Sequence, residues 1–249
     1  MMFSTHARRY SAAIVATLAL AACGGGGSDS PASSTAPTGT NATTTFPLAA
    51  AMVNFLKQAK ATPFTVAGTG SRNGQVLEFT GSGSSVEVNS SGTFNGEAAL
   101  VKKVTVTGTL GAQGINVPFT DAITQYFDSN YKPLGSSSPT IYCVSSAQMA
   151  LPAMARIGDS GAYYATTCYT SSTKTTLLGT SVVTYSLVPG PETMAIFKLT
   201  SKSTTKAGVT TSITSNYVVS TNGILSQTES PFPGISPGGV TVDLVLRFQ

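Results

Sequence analysis

The sequence predicts a mainly β fold: antiparallel sheets in a sandwich or half-barrel arrangement, with one N-terminal helix packed on the sheet. Three observations predict it. Charged residues make up 10% of the 249-residue chain against a usual quarter, while threonine, serine and glycine are abundant, which suits exposed sheet faces rather than long solvent-facing helices. From Phe64 onward apolar and polar residues alternate, with Gly, Asn and Ser as punctuation, the pattern of successive strands and turns. Only one segment, near residue 50, carries apolar residues at helical spacing.

The chain begins with Arg8 and Arg9, free of acidic neighbours, and an apolar run from Ala12 to Ala22 broken only by Thr17. That is the layout of a secretory signal. The run is about half of the roughly 20 residues that span a bilayer, so a cleaved leader is expected rather than a permanent span. At its end, Leu20-Ala21-Ala22-Cys23 closely resembles the lipobox of bacterial lipoproteins. The resemblance implies that residues 1–22 are a signal peptide that is removed, that the Cys23 sulfur receives a diacylglycerol, and that the new amino group takes an acyl chain such as palmitate. One acyl chain holds a protein only marginally at a membrane, whereas two or three hold it firmly. Gly24 after the cysteine resembles the enterobacterial pattern that releases lipoproteins to the outer membrane, which makes an outer-membrane, lipid-anchored protein facing the periplasm or the surface the expectation. Leader and linker together are similar to those of uncharacterised exported lipoproteins of proteobacteria.

Residues 23–46, the lipidated cysteine and a stretch of Gly, Ser, Thr, Ala and Pro without apolar periodicity, read as a flexible tether with a reach on the order of 25 Å. Residues 47–249 then form a β-rich domain, as one unit or as two tandem β halves. Its helix is expected from Pro47 to Lys60, where Leu48, Met52, Phe55, Leu56 and Ala59 recur on one side, Pro47 suits the first turn, Lys57 and Lys60 favour the C-terminal end, and Pro63 ends it. An amphipathic helix on a membrane surface is the alternative.

The strands follow in order: Gln75–Thr80, Ser85–Asn89, Leu100–Thr109, Val117–Phe127, Tyr142–Ser145, Tyr163–Thr170, Ser181–Val188, Met194–Ser201, Ser212–Ser220, and a last one from Val240 to Phe248. Asp128-Ser129-Asn130 marks a turn, and Asn222-Gly223 a hairpin. In the last strand Val240, Val242, Leu244, Leu246 and Phe248 share one face, as in a half-buried strand of a soluble sheet. A membrane barrel also alternates and often ends in an aromatic residue, but here the chain ends in Gln249. The two halves show a weak likeness, Ile123-Thr124-Gln125-Tyr126 and Leu134 against Ile213-Thr214-Ser215-Asn216-Tyr217 and Leu225, with Lys103-Val104-Thr105 against Lys198-Leu199-Thr200 upstream.

The remaining cysteines, Cys143 and Cys168, are expected to form a disulfide in an oxidising compartment. Loss of the leader takes His6 and two of fourteen basic residues, leaving twelve against ten acidic ones and a net charge of about +2. No basic stripe survives for nucleic acid. The single histidine leaves with the leader, and with it go the commonest general base and metal ligand; no metal and no cofactor is expected. Gly158-Asp159-Ser160-Gly161 is similar to the nucleophile segment of trypsin-like serine proteases, but without a histidine to activate Ser160 it reads as a turn. Lys132 and Pro133 spoil a calcium loop at Asp128, and Gly68, Gly70 and Gly74 precede a strand where a nucleotide loop needs a helix. Asp121 and Asp128 fall on opposite strand faces, and Glu87 and Asp243 read as solvent residues. Tyr142, Tyr163, Tyr164 and Tyr169 surround the cysteines and either line a ligand site or divide between core and rim.

The functional expectation is a membrane-anchored envelope lipoprotein whose β domain binds an envelope protein or supports structure, without catalysis. A carrier of a hydrophobic ligand, its curved sheet closed by the helix, is the first rival. The second is a carboxylate-based hydrolase of envelope glycans.

Overall fold

The computed structural model describes residues 43–72, 75–112, 115–233 and 241–249. Cys23, most of the tether, Gly74 and Val240 lie outside them.

A two-residue strand β1 (Thr45–Phe46) leads into α1 (Leu48–Lys57), and then come β2 (Ala61–Arg72), β3 (Gln75–Phe94), β4 (Glu97–Ala112), β5 (Ile115–Phe127), β6 (Pro133–Ser137), β7 (Tyr142–Gln148), β8 (Ala155–Arg156), β9 (Ser160–Tyr169), β10 (Leu177–Pro189), β11 (Ala195–Thr205), β12 (Thr210–Val219), β13 (Leu225–Pro233) and β14 (Thr241–Phe248). β1 pairs with β8 as a small separate ribbon, and the other twelve strands form one closed antiparallel barrel. Each barrel strand pairs with the barrel strand that follows it in sequence. Closure comes from β14 against β2, Phe248 opposite Phe64 through Thr241 opposite Ser71. The all-β antiparallel class with one N-terminal helix is therefore what forms, with the curl of the sheet carried through to a full circle, so that every barrel strand has a partner on both sides along part of its length.

The helix starts where expected, with Pro47 at its N-cap, but stops at Lys57 rather than Lys60. Its end is set by the barrel wall. The Leu56 and Gln58 carbonyls accept from Lys102 Nζ, the Lys57 carbonyl accepts from Asn89 Nδ2, and the Lys60 carbonyl accepts from the Glu87 amide. The chain is thus drawn onto the sheet before Pro63 can act.

Two expected strands, Gln75–Thr80 and Ser85–Asn89, are parts of the single strand β3. The glycines between them mark a close approach rather than a turn: a Cβ on Gly83 would come within 2.6 Å of the Phe64 ring, which lies across it from the paired position on β2. β3 reverses into β4 through Asn95 and Gly96, at φ 53° and 87°, the two left-handed residues of a tight hairpin. The expected Asn222-Gly223 hairpin forms with Gly223 at φ 81° and the Ile224 carbonyl bonded to the Ser220 amide.

Two apolar clusters fill the interior. One joins Phe64, Val66, Val104, Val106, Phe119, Ile123, Leu244 and Leu246 on β2, β4, β5 and β14. The other packs α1, through Leu48, Ala51, Met52, Phe55 and Leu56, against Val183, Leu187, Phe197 and Val219 of β10 to β12. The helix thus plugs the end of the barrel at which the β12–β13 turn lies, Gly223 sitting beside Pro47. Outside, the strands present Lys103, Thr107 and Thr109 on β4 and Lys202 on β11, with cross-strand hydroxyl pairs such as Thr200–Thr214 at 2.8 Å. A barrel facing lipid carries an apolar band about 25 Å tall there; β4 and β11 present hydroxyls and ammonium groups, while Val76, Val86 and Val88 of β3 and Val182 of β10 are exposed among them. No helix among the described residues is long and apolar enough to cross a membrane.

The likeness between the halves holds at Val104 and Leu199, which both line the interior. It breaks at the tyrosines. Tyr217 is inside against Phe55 and Phe197, while Tyr126 is outside, stacked on Phe94 at 4.5 Å.

Candidate functional site

Beneath α1 the barrel holds a partly open cavity of about 150 Å³, walled by Met52 and Phe55 of the helix, by Leu246 and Phe248 of β14, and by hydroxyl residues of β9 to β13. The hydroxyl wall follows from strand alternation: Ser201, Ser215 and Ser230 are buried at inward positions of adjacent strands, with Thr166 inward on β9. Small side chains leave the space, and their hydroxyls are partly satisfied by one another, Ser181 to Ser201 at 2.8 Å and Ser215 to Ser230 at 3.3 Å. An open-sided depression of about 300 Å³ lies on the helix's other flank, between Leu56, Asn89, Leu100 and Tyr131.

Tyr163, Tyr164 and Tyr217 supply the phenols of the lining. Two consecutive residues of a regular strand point to opposite faces, yet Tyr163 and Tyr164 are both buried. The register explains it: Val183 pairs with Tyr164 but Thr184 pairs with Ala162, which leaves Tyr163 as the extra residue of a bulge. A bulge re-aims side chains in this way. The two rings meet edge to face with centroids 4.9 Å apart. Burial raises the pKa of all three tyrosines above the ordinary value; at Tyr217 the Glu87 carboxylate adds to the rise, and at Tyr164 its two tyrosine neighbours do. They stay neutral phenols at any ordinary pH.

The one charged pair in the lining is Glu87 and Lys102, 8% and 3% exposed. Lys102 Nζ sits 2.6 Å from Glu87 Oε2 and donates to the carbonyls of Leu56 at 3.1 Å and Gln58 at 2.7 Å. Two of its protons are thereby committed to the end of the helix, and its charge to Glu87. Glu87 Oε2 is held by charge, with no directed hydrogen bond among the described groups. Nearby, Lys60 Nζ lies 4.2 Å over the Phe55 ring, and its pKa is lowered, chiefly by burial, with Glu87 opposing and Lys102 assisting.

The expected site residues fall as follows. Cys143 and Cys168 are bonded, S–S 2.07 Å, at directly opposed positions of β7 and β9 and wholly buried. Ser160 is exposed at the start of β9, and the segment before it is a turn: Gly158 has φ 95°, and Asp159 Oδ2 accepts from the Arg156 amide. Asp128 closes its own turn, accepting from the amides of Asn130 and Lys132. Of the four tyrosines, Tyr163 and Tyr164 reach the cavity. Tyr142 instead stacks on Phe94 and donates to Asn95 Oδ1, paired across the strands with Tyr169. Asp243 is exposed as expected. Glu87 is not: expected in solvent, it faces inward because Lys102 waits there to neutralise it, while Val86 and Val88 turn out, 40% and 53% exposed. Lys102 and Tyr217 were the other lining residues missed. A signal existed for Lys102, which shares the inward parity of Val104 and Val106.

No protein-family model matches the chain, and no curated protein or solved structure matches it. Among the described residues no three His, Cys, Asp or Glu side chains come together as a metal would require.

Proposed function

We propose that this chain is a lipid-anchored lipoprotein of the bacterial envelope, held at the outer membrane through Cys23, whose barrel binds a small ligand and catalyses nothing. The single observation that carries the binding part is the cavity under α1, in which phenol and serine hydroxyls face apolar side chains. That combination of apolar lining with a few placed polar groups is what ligand sites are built from. The volume speaks against an acyl chain: it is below the roughly 300 Å³ at which drug-sized sites begin. The lack of catalysis rests on the charged pair, since Glu87 is bound to Lys102 and so is a poor base or nucleophile. The hydroxyl-rich outer face supports a domain in water, tethered to the membrane rather than threaded through it.

Mass spectrometry of the protein as isolated tests binding: a stoichiometric small molecule is expected, and its absence from carefully extracted protein counts against the reading. Cys23→Ala tests the anchor. The variant should leave the membrane fraction, and unchanged fractionation would refute lipid attachment.

A further inference from the structure

We infer that the ligand of this cavity is a neutral molecule of single-ring size with one hydrogen-bonding edge, a phenol or an aromatic alcohol. The inference rests on the binding reading above and specifies its chemistry. Size comes first. A cavity of about 150 Å³ is the space in which one benzene ring fits.

Charge comes next. A ligand anion would look for a cation, but Lys102 already has the Glu87 carboxylate as its counter-charge and donates to the carbonyls of Leu56 and Gln58. A ligand cation would meet the Lys102 ammonium, and the one carboxylate in the lining, Glu87, is already paired with it; the Phe55 ring already has Lys60 Nζ over its face at 4.2 Å. An uncharged molecule incurs neither cost, and burying an unpaired charge is the most expensive alternative.

Polarity comes last. Among the described residues the tyrosine hydroxyls that bond to protein are those of Tyr126 and Tyr142, both away from the cavity. The hydroxyls of Tyr163, Tyr164 and Tyr217 have no described partner; Tyr163 and Tyr164 are buried and Tyr217 half-buried in the lining, and none of the three hydroxyl oxygens is sealed off from the cavity space. A buried hydroxyl is costly unless bonded, so a purely apolar occupant fits this wall badly. An aromatic occupant with an oxygen substituent fits both halves: its ring packs against Phe55, Phe248 and Leu246, and its oxygen reaches the phenols.

The test uses the full mature chain, titrated at neutral pH with phenol, benzene, benzoate and benzylammonium by calorimetry and ligand-observed NMR. Phenol should bind saturably and at least fivefold more tightly than benzene. Tyr217→Phe and Tyr163→Phe, which remove a hydroxyl and keep the ring, should each weaken phenol about three- to tenfold and leave benzene unchanged; melting curves verify that both variants fold. Benzene binding as well as phenol overturns the hydrogen-bonding edge, and tighter binding of benzoate or benzylammonium overturns neutrality. If no probe binds while the isolated protein carries another molecule, this inference fails and ligand binding stands. If no probe binds and nothing co-purifies, both fall.

Discussion

Lys102 bears on stability because it joins the wall, the plug and the buried carboxylate. Lys102→Met strands Glu87 without a counter-charge and frees two helix-end carbonyls, so the unfolding free energy should fall by about 3–5 kcal/mol in urea titrations. The double variant Lys102→Met, Glu87→Met should regain much of that loss, since a well-packed apolar pair replaces a buried ion pair at little cost. If the double variant is no more stable than the single, the pair is not what Lys102 is held for. The buried tyrosines set the alkaline limit. Their folded pKa values are raised, so the folded state keeps protons that the unfolded state releases above about pH 10. Their stability contribution is whole below that pH and is lost as pH rises through it, by about 1.4 kcal/mol per unit for each such tyrosine. Lys60, with its lowered value, works in the opposite sense, gaining stability as pH climbs toward the ordinary lysine value, but it is one group against three. Urea midpoints should therefore drop above pH 10, and less steeply in Tyr163→Phe, Tyr217→Phe.

At the scale of elements, the disulfide and the helix make separate contributions. Cys143 and Cys168, 25 residues apart, join adjacent strands, and replacing both with serine should cost about 3 kcal/mol by loop-entropy reasoning, measured under non-reducing conditions. Phe55→Ala should cost about 3–5 kcal/mol, because its ring is buried against Tyr217. Most elements could be read from the sequence: the helix start, the last strand with Leu244 and Leu246 inward, and the Asn222-Gly223 turn. What escaped was parity. In Ser85-Val86-Glu87-Val88 the alternation is plain, and hydrophobicity alone assigns the valines to the interior. The true face depends on register against β4, which Asn95-Gly96 fixes by placing Glu87 opposite Val104, one inward step from Lys102. That turn could be read and was passed over. The bulge at Tyr163 could not, because it arises from a mismatch between two strands that no local pattern records.

As a whole molecule the barrel is a single ring, and rings fail when opened. Removing residues 241–249 would strip β14 and bare the long edges of β2 and β13; the truncated chain is expected to aggregate, visible by light scattering, where the intact protein stays dispersed. Closure itself was beyond the reach of the sequence. Most of the strands and their antiparallel sense followed from pattern, but their order in the sheet did not, and whether the last strand returns to the first depends on accumulated twist and on the mid-strand glycines of β2 to β4 that let the sheet bend. The seam where it returns has a mechanical meaning. The start of β2 and the end of β14 lie side by side, the Gln249 amide bonded to the Pro63 carbonyl at 3.1 Å, so a pull on the tether against the C-terminus loads the seam one hydrogen bond at a time, like a zip, instead of shearing the whole ladder at once. Stretched between the two ends in optical tweezers, the barrel should yield at low force with β14 peeling first. Drawn instead between residues in the middles of β5 and β11, on separate stretches of wall, it should resist far longer.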